Sequence, residues 1–163
     1  MLRTSYSNSA HDKKPDEAGL QEDEAAVRRM YEVAPYPDLG AAPKSIDFFF
    51  DPIREDLLSR QIVNFLDVGC GTGHVVVGVA KKYSNWNCYG IDLSSASLGV
   101  ARKLAKQHDV SVTLERGSYL DPLPFGCSKF DVISATGTIH HAADPFAAMR
   151  VLREALHDSG WLF

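Results

Sequence analysis

The sequence is poor in the features that mark several specialised classes of protein. Only three cysteines occur among the 163 residues, and their spacing fits neither a disulfide framework nor a zinc site. No window approaches the ~18 consecutive apolar residues of a membrane span, and the first twenty residues lack an apolar signal-peptide core. These absences predict a cytoplasmic protein with reduced thiols and no membrane partner.

Positive charge is also scarce. The 17 basic residues are outnumbered by 21 acidic residues, which gives a formal net charge of −4. The whole acidic excess lies in residues 21–60, just before the predicted core. A chain of this kind lacks the basic footprint of sequence-independent nucleic-acid binding, which argues against a nucleic-acid partner.

The most informative stretch is an apolar run that ends in an acid, followed by three glycines at alternate positions. It reads Phe65-Leu66-Asp67-Val68-Gly69-Cys70-Gly71-Thr72-Gly73. Residues 63–68 are rich in β-formers, as in a buried parallel strand, and the residues after the turn can form a helix. Glycines at such a turn permit positive φ angles and let a ligand approach the backbone. A dinucleotide fingerprint would instead place its third glycine at His74.

Two acids near this turn indicate the chemistry of the ligand. Asp67 would repel a pyrophosphate but attract an ammonium group, which favours a zwitterionic or cationic ligand. A second strand is predicted over residues 86–91 and is followed by Asp92. This acid lies at about the 20-residue distance from the glycines that is expected of a ribose-binding carboxylate.

With these motifs, residues 62–163 resemble the class I S-adenosylmethionine-dependent methyltransferases. The first motif of that family is an acid followed by x-G-x-G-x-G, and an acid closes its second strand. The resemblance implies a Rossmann-like, doubly wound α/β fold with a mainly parallel sheet, helices on both faces, and S-adenosyl-L-methionine as cofactor. The cofactor-binding residues that it implies are Asp67, Gly69, Cys70, Gly71, Gly73, Asp92, Leu93, Ser118, Tyr119 and Thr136.

The loop over residues 116–125 resembles the adenine-binding segment of the family but departs from it at one position. Ser118 stands where the family usually has an aspartate. A serine hydroxyl can accept a hydrogen bond from the adenine amino group, but without charge assistance. Tyr119 can still present its backbone N–H to the ring, and Asp121 is a candidate replacement for the missing acid.

Two adjacent histidines follow the predicted fourth strand, Phe130–Ala135. Adjacent side chains rarely point at one metal ion, and the sequence offers no evident third ligand, so we predict no metal site. A general base at His140 or His141 is one interpretation. A hydrogen bond that fixes the loop is the favoured one.

The N-terminal part is predicted as two segments. Residues 1–20 are polar and are expected to form a disordered tail. Residues 21–61 form an arm with a helix over 22–31, followed by a segment that resembles the Tyr-x-x-x-Pro-Tyr-Pro lead-in of some methyltransferases. There the segment would lie over the cofactor cleft, and one of its two tyrosines would touch substrate; Tyr36 is the candidate. Packing of this proline-stiffened arm onto the core is the favoured alternative.

The remaining elements follow the alternation that a parallel sheet requires. Helices are predicted over residues 74–83, in spite of three consecutive valines, and over 94–108, and a third strand is predicted over 111–115. The last helix is predicted to begin at Pro145, with Asp144 as its cap and Gly160 beyond its end. Met149 and Leu156 are assigned to its buried face.

The sequence stops at Trp161-Leu162-Phe163, which we interpret as the start of a fifth strand. The family normally has seven strands, so the resemblance implies a truncated product, a fragment or a partial gene model. An unfinished apolar sheet edge predicts self-association through that edge.

The resulting hypothesis is a methyltransferase that acts on a small molecule of unidentified structure. Positioning of donor and acceptor and exclusion of water would supply most of the catalysis. A non-catalytic cofactor-binding module or an inactive truncated product is the first alternative, supported by Ser118 and by the missing strands. An NAD-dependent oxidoreductase is disfavoured by His74 and Asp67.

Overall fold

The computed structural model describes residues 17–37, 54–126 and 129–163. Its strands are β1 (Val63–Val68), β2 (Trp86–Asp92), β3 (Thr113–Arg116), β4 (Phe130–Ser134) and β5 (Leu156–Leu162). All pairings among them are parallel, and they form one sheet in the order β3-β2-β1-β4-β5. Because β1 is central, the glycine turn that follows it leaves the sheet at its middle.

Helices cover both faces of this sheet. They are α1 (Glu17–Val33), α2 (Arg54–Ser59), α3 (His74–Lys82), α4 (Ser95–Gln107) and α5 (Pro145–Ala155), with a 3-10 helix at Ile139–His141. Phe65 of β1 belongs to a buried cluster with side chains of α3 and α4, whereas its neighbour Leu66 belongs to a second cluster with Leu152 of α5. Adjacent strand residues point to opposite faces. The predicted Rossmann-like, doubly wound α/β fold is confirmed.

The helices that the sequence predicts between the strands after β1 are confirmed. Residues 74–82 form α3 although valine favours strands, because parallel neighbours need a crossover between them. The Ser94 hydroxyl caps α4 by accepting the N–H of Ser97. Asp144 caps α5 by accepting two backbone N–H groups. Within the described residues, no helix has the length and apolar character needed to cross a membrane.

The predicted boundary between α5 and β5 is wrong. The helix ends at Ala155, and β5 begins at Leu156, five residues before the predicted start at Trp161. Leu156 takes an extended conformation and pairs with Phe130 in a buried cluster, so tertiary packing ends the helix. Met149, assigned to the buried face, is 46% exposed.

The edge strands of the described sheet are β3 and β5, and self-association through β5 stays a prediction.

The predicted N-terminal boundaries also need correction. Helix α1 begins at Glu17, so residues 17–20 are helical and not part of a disordered tail. Glutamate, alanine and leucine, three of these four residues, are good helix formers, and polar composition alone does not prevent a helix. Residues 1–16 lie outside the described part, as do residues 38–53. Strand β3 is displaced to Thr113–Arg116 from the predicted 111–115. The division into tail, arm and domain stays a prediction.

The carboxylate of Asp131 connects β4 to the segment before β1. It accepts hydrogen bonds from the Arg60 guanidinium at 2.5 Å and from the Asn64 backbone N–H at 2.8 Å. Asp56 binds the same guanidinium, but its side chain is 50% exposed against 11% for Asp131. We expect Asp131→Ala to lower the free energy of unfolding by about 2 kcal/mol, because it leaves a half-buried cation and a backbone N–H without this acceptor.

The matched control is Asp56→Ala, which is expected to cost less than about 1 kcal/mol because the pair is exposed. Urea denaturation of both variants measures the difference. Equal losses would show that burial does not distinguish the two carboxylates.

Candidate active site

A cavity of about 820 Å³ lies at the carboxyl ends of the strands, beside the central strand β1. Strand β1 has β2 on one side and β4 on the other, so the order of strands along the chain reverses at β1. Open α/β sheets bind ligands at such a reversal. Eight predicted cofactor-binding residues line this cavity: Asp67, Gly69, Cys70, Gly71, Asp92, Leu93, Tyr119 and Thr136. The catalytic candidates Tyr36, His140 and His141 line it as well, whereas Gly73 and Ser118 are not among the lining residues.

The glycine turn has the backbone conformation that the sequence predicts. The φ angles of Gly69, Gly71 and Gly73 are +63°, +51° and +82°, which L side chains rarely adopt. A Cβ on Gly71 would lie 2.5 Å from the carbonyl oxygen of Tyr36, so the turn and the N-terminal arm approach closely. A Cβ on Gly73 would lie 2.7 Å from the Cβ of Ala101 in α4. Gly73 thus permits helix packing beside the cavity.

Asp92 joins the glycine turn to the start of α4. One carboxylate oxygen accepts the N–H of Gly71 and the other accepts the N–H of Ser94, both at 2.8 Å. Burial raises the pKa of Asp92, the two hydrogen bonds act in the opposite direction, and the charge of Glu32 adds to the increase. Each oxygen retains a lone pair for a further donor at the cavity wall.

Asp67, at the carboxyl end of β1, is only 4% exposed. Burial raises its pKa to about 7, although the Ser134 hydroxyl and the Val76 N–H donate hydrogen bonds that lower it. The charge of nearby Asp92 contributes to the increase. The Asp67 carboxyl therefore changes between its protonated and ionised forms near neutral pH, and a bound cation would stabilise the ionised form.

Helix α1 is attached to the start of α4. The Glu32 carboxylate accepts the N–H groups of Ser95 and Ala96 at 2.8 and 3.0 Å, and these bonds lower the pKa of Glu32. The Tyr31 carbonyl accepts the Ser94 hydroxyl at 3.1 Å. A carboxylate at a helix N-terminus satisfies free N–H groups and complements the helix dipole. These contacts hold α1 against the cavity.

The segment after α1 contacts the glycine turn through its backbone. Thr72 donates its N–H to the Tyr36 carbonyl at 3.2 Å and its hydroxyl to the Pro37 carbonyl at 2.9 Å. The Tyr36 side chain lines the cavity and is 63% exposed. The arm therefore packs on the core, as the favoured interpretation expected, and it also presents a tyrosine to the cavity.

The two histidines lie in the 3-10 helix on the opposite wall. His141 Nε2 and the Tyr31 hydroxyl are 3.2 Å apart, within hydrogen-bond distance, and the rings of His140 and His141 lie 4.0 Å apart. Burial and the neighbouring His140 lower the pKa of His141, which favours the neutral form of this imidazole. The bond connects α1 to the loop after β4. Within the described ranges, no group of three or more His, Cys, Asp or Glu side chains is arranged to hold a metal ion.

The contribution of helix α1 before Tyr31 to the cavity wall was not predicted from the sequence, whereas the segment from Tyr31 onward was expected to lie over the cleft. The lining residues of α1 are Glu24, Val27, Arg28 and Tyr31. Their spacing of three and four residues places them on one helix face, and that spacing was the available signal. Ser118 donates its hydroxyl to a Glu24 carboxylate oxygen at 2.6 Å. The serine at the predicted adenine position is therefore bound to α1.

Comparison with known proteins agrees with this geometry. Residues 66–162 match the methyltransferase domain family. The probable methyltransferase ltbC of Aspergillus luteorubrus is 32% identical over 95 residues, which are 55% of this chain and 33% of that protein. The ubiquinone biosynthesis O-methyltransferase of Actinobacillus pleuropneumoniae serotype 7 (strain AP76) is 29% identical over 122 residues, which are 69% of this chain and 51% of that protein.

Solved structures show the same architecture. A methyltransferase from Geobacter sulfurreducens, described as S-adenosylmethionine-dependent and in complex with S-adenosyl-L-homocysteine, superposes with a TM-score of 0.60 at 18% identity. The superposition covers 81% of this chain and 52% of that one. The chain spans about half or less of the length of the two curated relatives. The family match covers more than half of this chain, which therefore belongs to the methyltransferase domain family and has the fold of the class I S-adenosylmethionine-dependent methyltransferases.

Proposed function

We propose that this chain binds S-adenosyl-L-methionine and transfers its methyl group to a small-molecule acceptor. The observation that carries the proposal is the meeting of three features in one cavity: the buried acid Asp67, the glycine turn, and Asp92. A relative named for ubiquinone biosynthesis supports an acceptor of small-molecule class. The acceptor atom stays outside the proposal.

The residues present fit this cofactor. The turn at Gly69 and Gly71 has no side chains, so a ligand can contact its backbone directly. Asp67 would hold the ammonium group of the methionine part, and Asp92 would accept the ribose hydroxyls. Leu93 and Tyr119 line the part of the cavity that would receive the adenine. When bound, the cofactor supplies a methyl group already activated by the sulfonium.

The contribution of the protein is mainly positioning and exclusion of water. Helix α1 and the Tyr36 segment form part of the cavity wall, which would limit the access of water to the reacting groups. An acceptor that is already nucleophilic needs no base. For a hydroxyl acceptor, the imidazole of His141 lines the cavity and can take the proton.

Isothermal titration with S-adenosylhomocysteine tests the proposal. We expect micromolar binding by the purified chain, and at least a tenfold loss in Asp92→Ala, which removes the ribose acceptor and its bonds to Gly71 and Ser94. Asp92→Asn is the matched variant, since it keeps the shape and one acceptor oxygen; we expect an intermediate loss. Circular dichroism of each variant confirms that it is folded.

Three outcomes separate the alternatives. No binding by a folded chain would reject the proposal. Displacement of S-adenosylhomocysteine by NAD at similar concentration would favour an oxidoreductase. Binding without transfer in a broad screen of acceptors, by this chain and by an extended one, would favour a non-catalytic cofactor-binding module.

A further inference from the structure

The Ser118 hydroxyl makes two hydrogen bonds within the protein, and these compete with the adenine-binding role that the sequence predicts for it. The residue is 6% exposed, donates its hydroxyl proton to Glu24 Oε1 at 2.6 Å, and accepts the N–H of Leu120 at 3.1 Å. A hydroxyl has one proton and two acceptor lone pairs, so these two bonds use most of its capacity. Ser118 is therefore a weak candidate for recognising a base in the cavity.

The Glu24 carboxylate is hydrogen-bonded to Ser118, the position at which the family that this sequence resembles usually has an aspartate. Glu24 is half-buried and lines the cavity, next to the loop that carries Ser118. Burial raises the pKa of the Tyr119 phenol, and the negative charge of Glu24 raises it further. The two groups therefore lie near each other. A carboxylate offers about four lone-pair sites, and the Ser118 hydroxyl uses one of them. The remaining sites are available to a donor in the cavity.

We propose that Glu24 supplies the carboxylate that recognises the exocyclic amino group of adenine, in place of an acid at position 118. The inference rests on the proposed function, since it concerns the same cofactor. The bond is charge-assisted and therefore stronger than one accepted by a serine hydroxyl. Ser118 acts as a positioning residue, because its hydroxyl binds one carboxylate oxygen of Glu24. This contact fixes the orientation of the carboxylate, so that the second oxygen can accept a hydrogen bond from the ligand.

This assignment makes base recognition depend on the docking of α1. Glu24 belongs to the helix that Glu32 attaches to the start of α4 and that Tyr31 attaches to His141. The backbone of Glu24 is thus held by contacts additional to those with the loop after β3 that carries Ser118 and Tyr119. A ligand with an adenine amino group would contact the two elements together, so its binding should stabilise the docked helix.

A matched pair of ligands tests the proposal. S-inosylhomocysteine replaces the amino group with a carbonyl oxygen, which a carboxylate repels, and it also carries a proton on the ring nitrogen N1, where adenine has an acceptor. We expect the full chain to bind S-adenosylhomocysteine at least tenfold more tightly than the inosyl analogue in isothermal titration. In Glu24→Gln this preference should fall at least fivefold, because the amide can donate to the carbonyl as readily as it accepts from the amino group, whereas discrimination at N1 is unchanged.

Three further variants keep the result interpretable. Glu154→Gln makes the same chemical change on an exposed position of α5 and should leave both affinities unchanged. Glu24→Asp retains the charge and should retain part of the preference. Ser118→Ala removes the positioning hydroxyl, together with the acceptor of the Leu120 N–H, and should reduce the preference less than Glu24→Gln does. Thermal denaturation of the ligand-free variants shows whether each is folded.

The outcomes distinguish this inference from the proposed function. A wild-type preference for adenine that persists in Glu24→Gln would overturn the inference and leave the function intact. An equal loss of affinity for both ligands would show that Glu24 only ties α1 to the loop, which also overturns it. Failure of the folded wild-type chain to bind either ligand would reject the proposed function, and with it the role of Glu24.

Discussion

Replacement of Asp67 by asparagine is expected to weaken the binding of S-adenosylhomocysteine by at least tenfold at pH 8 and to stabilise the ligand-free protein. The loss of binding follows from the loss of the charge that would hold the ligand ammonium group in a buried site. The gain in stability follows from removal of a buried carboxylate. Opposite signs for the two effects are the signature of a residue that serves the ligand at a cost to the fold.

The sign of the stability effect follows from the pKa. Burial raises the pKa of Asp67 to about 7 in the folded protein, against about 3.9 in an unfolded chain. Between these values the folded state binds more protons, so this group makes stability fall as the pH rises from about 4 to 7. At pH 8 the full penalty is present, and Asp67→Asn should raise the free energy of unfolding by an amount on the order of 2 kcal/mol.

Binding should show the complementary dependence on pH. The ammonium group requires ionised Asp67, so affinity for S-adenosylhomocysteine should fall by up to about tenfold per pH unit below pH 7. The fragment 5′-methylthioadenosine lacks the amino-acid part and should not show this dependence. Titrations at pH 6, 7 and 8 in buffers of different ionisation enthalpy also measure the proton that Asp67 releases.

The control for both effects is Asp158→Asn, an exposed aspartate of β5. It should change neither the affinity nor its pH profile. If wild-type affinity proved independent of pH between 6 and 8, or if Asp67→Asn bound S-adenosylhomocysteine normally, the ammonium group would not lie at Asp67. Loss of stability in Asp67→Asn would contradict the assigned cost of burial.

Substitution of alanine for Gly71 is the second change with a large expected effect. The residue has φ +51°, and a Cβ there would lie 2.5 Å from the Tyr36 carbonyl oxygen. Strain in the left-handed region costs roughly 1–2 kcal/mol, and the backbone clash adds to it. We expect a total loss of stability of about 2–4 kcal/mol and at least a hundredfold weaker binding of S-adenosylhomocysteine, since the turn and the arm must both shift.

Gly99→Ala is the matched control for this substitution. Gly99 lies inside α4 with nothing within 4 Å of an added Cβ, so alanine should stabilise the helix by up to about 1 kcal/mol and leave binding unchanged. Thermal denaturation and titration of both variants measure the contrast. Wild-type affinity in Gly71→Ala would show that the close approach of Tyr36 to the turn is not needed for binding.

The sequence was sufficient to predict the glycine turn and the two acids at the strand ends because the relevant signals are local. A β-rich run, three glycines at alternate positions and an acid after the next strand need only short stretches of chain to be recognised. The positive φ angles of the turn confirm the reason for glycine at Gly69 and Gly71. The crossover rule likewise outweighed the strand propensity of three valines in α3.

The tertiary structure alone decided the outer wall of the site. Glu24 meets Ser118 across 94 residues, and Tyr31 meets His141 across 110. No local pattern encodes such pairs, because they form only when α1 docks on the finished sheet. The same holds for the pKa of Asp67, which depends on how completely neighbouring elements remove its carboxyl group from water. Sequence determined the chemistry of the strand ends, and long-range packing determined what faces them.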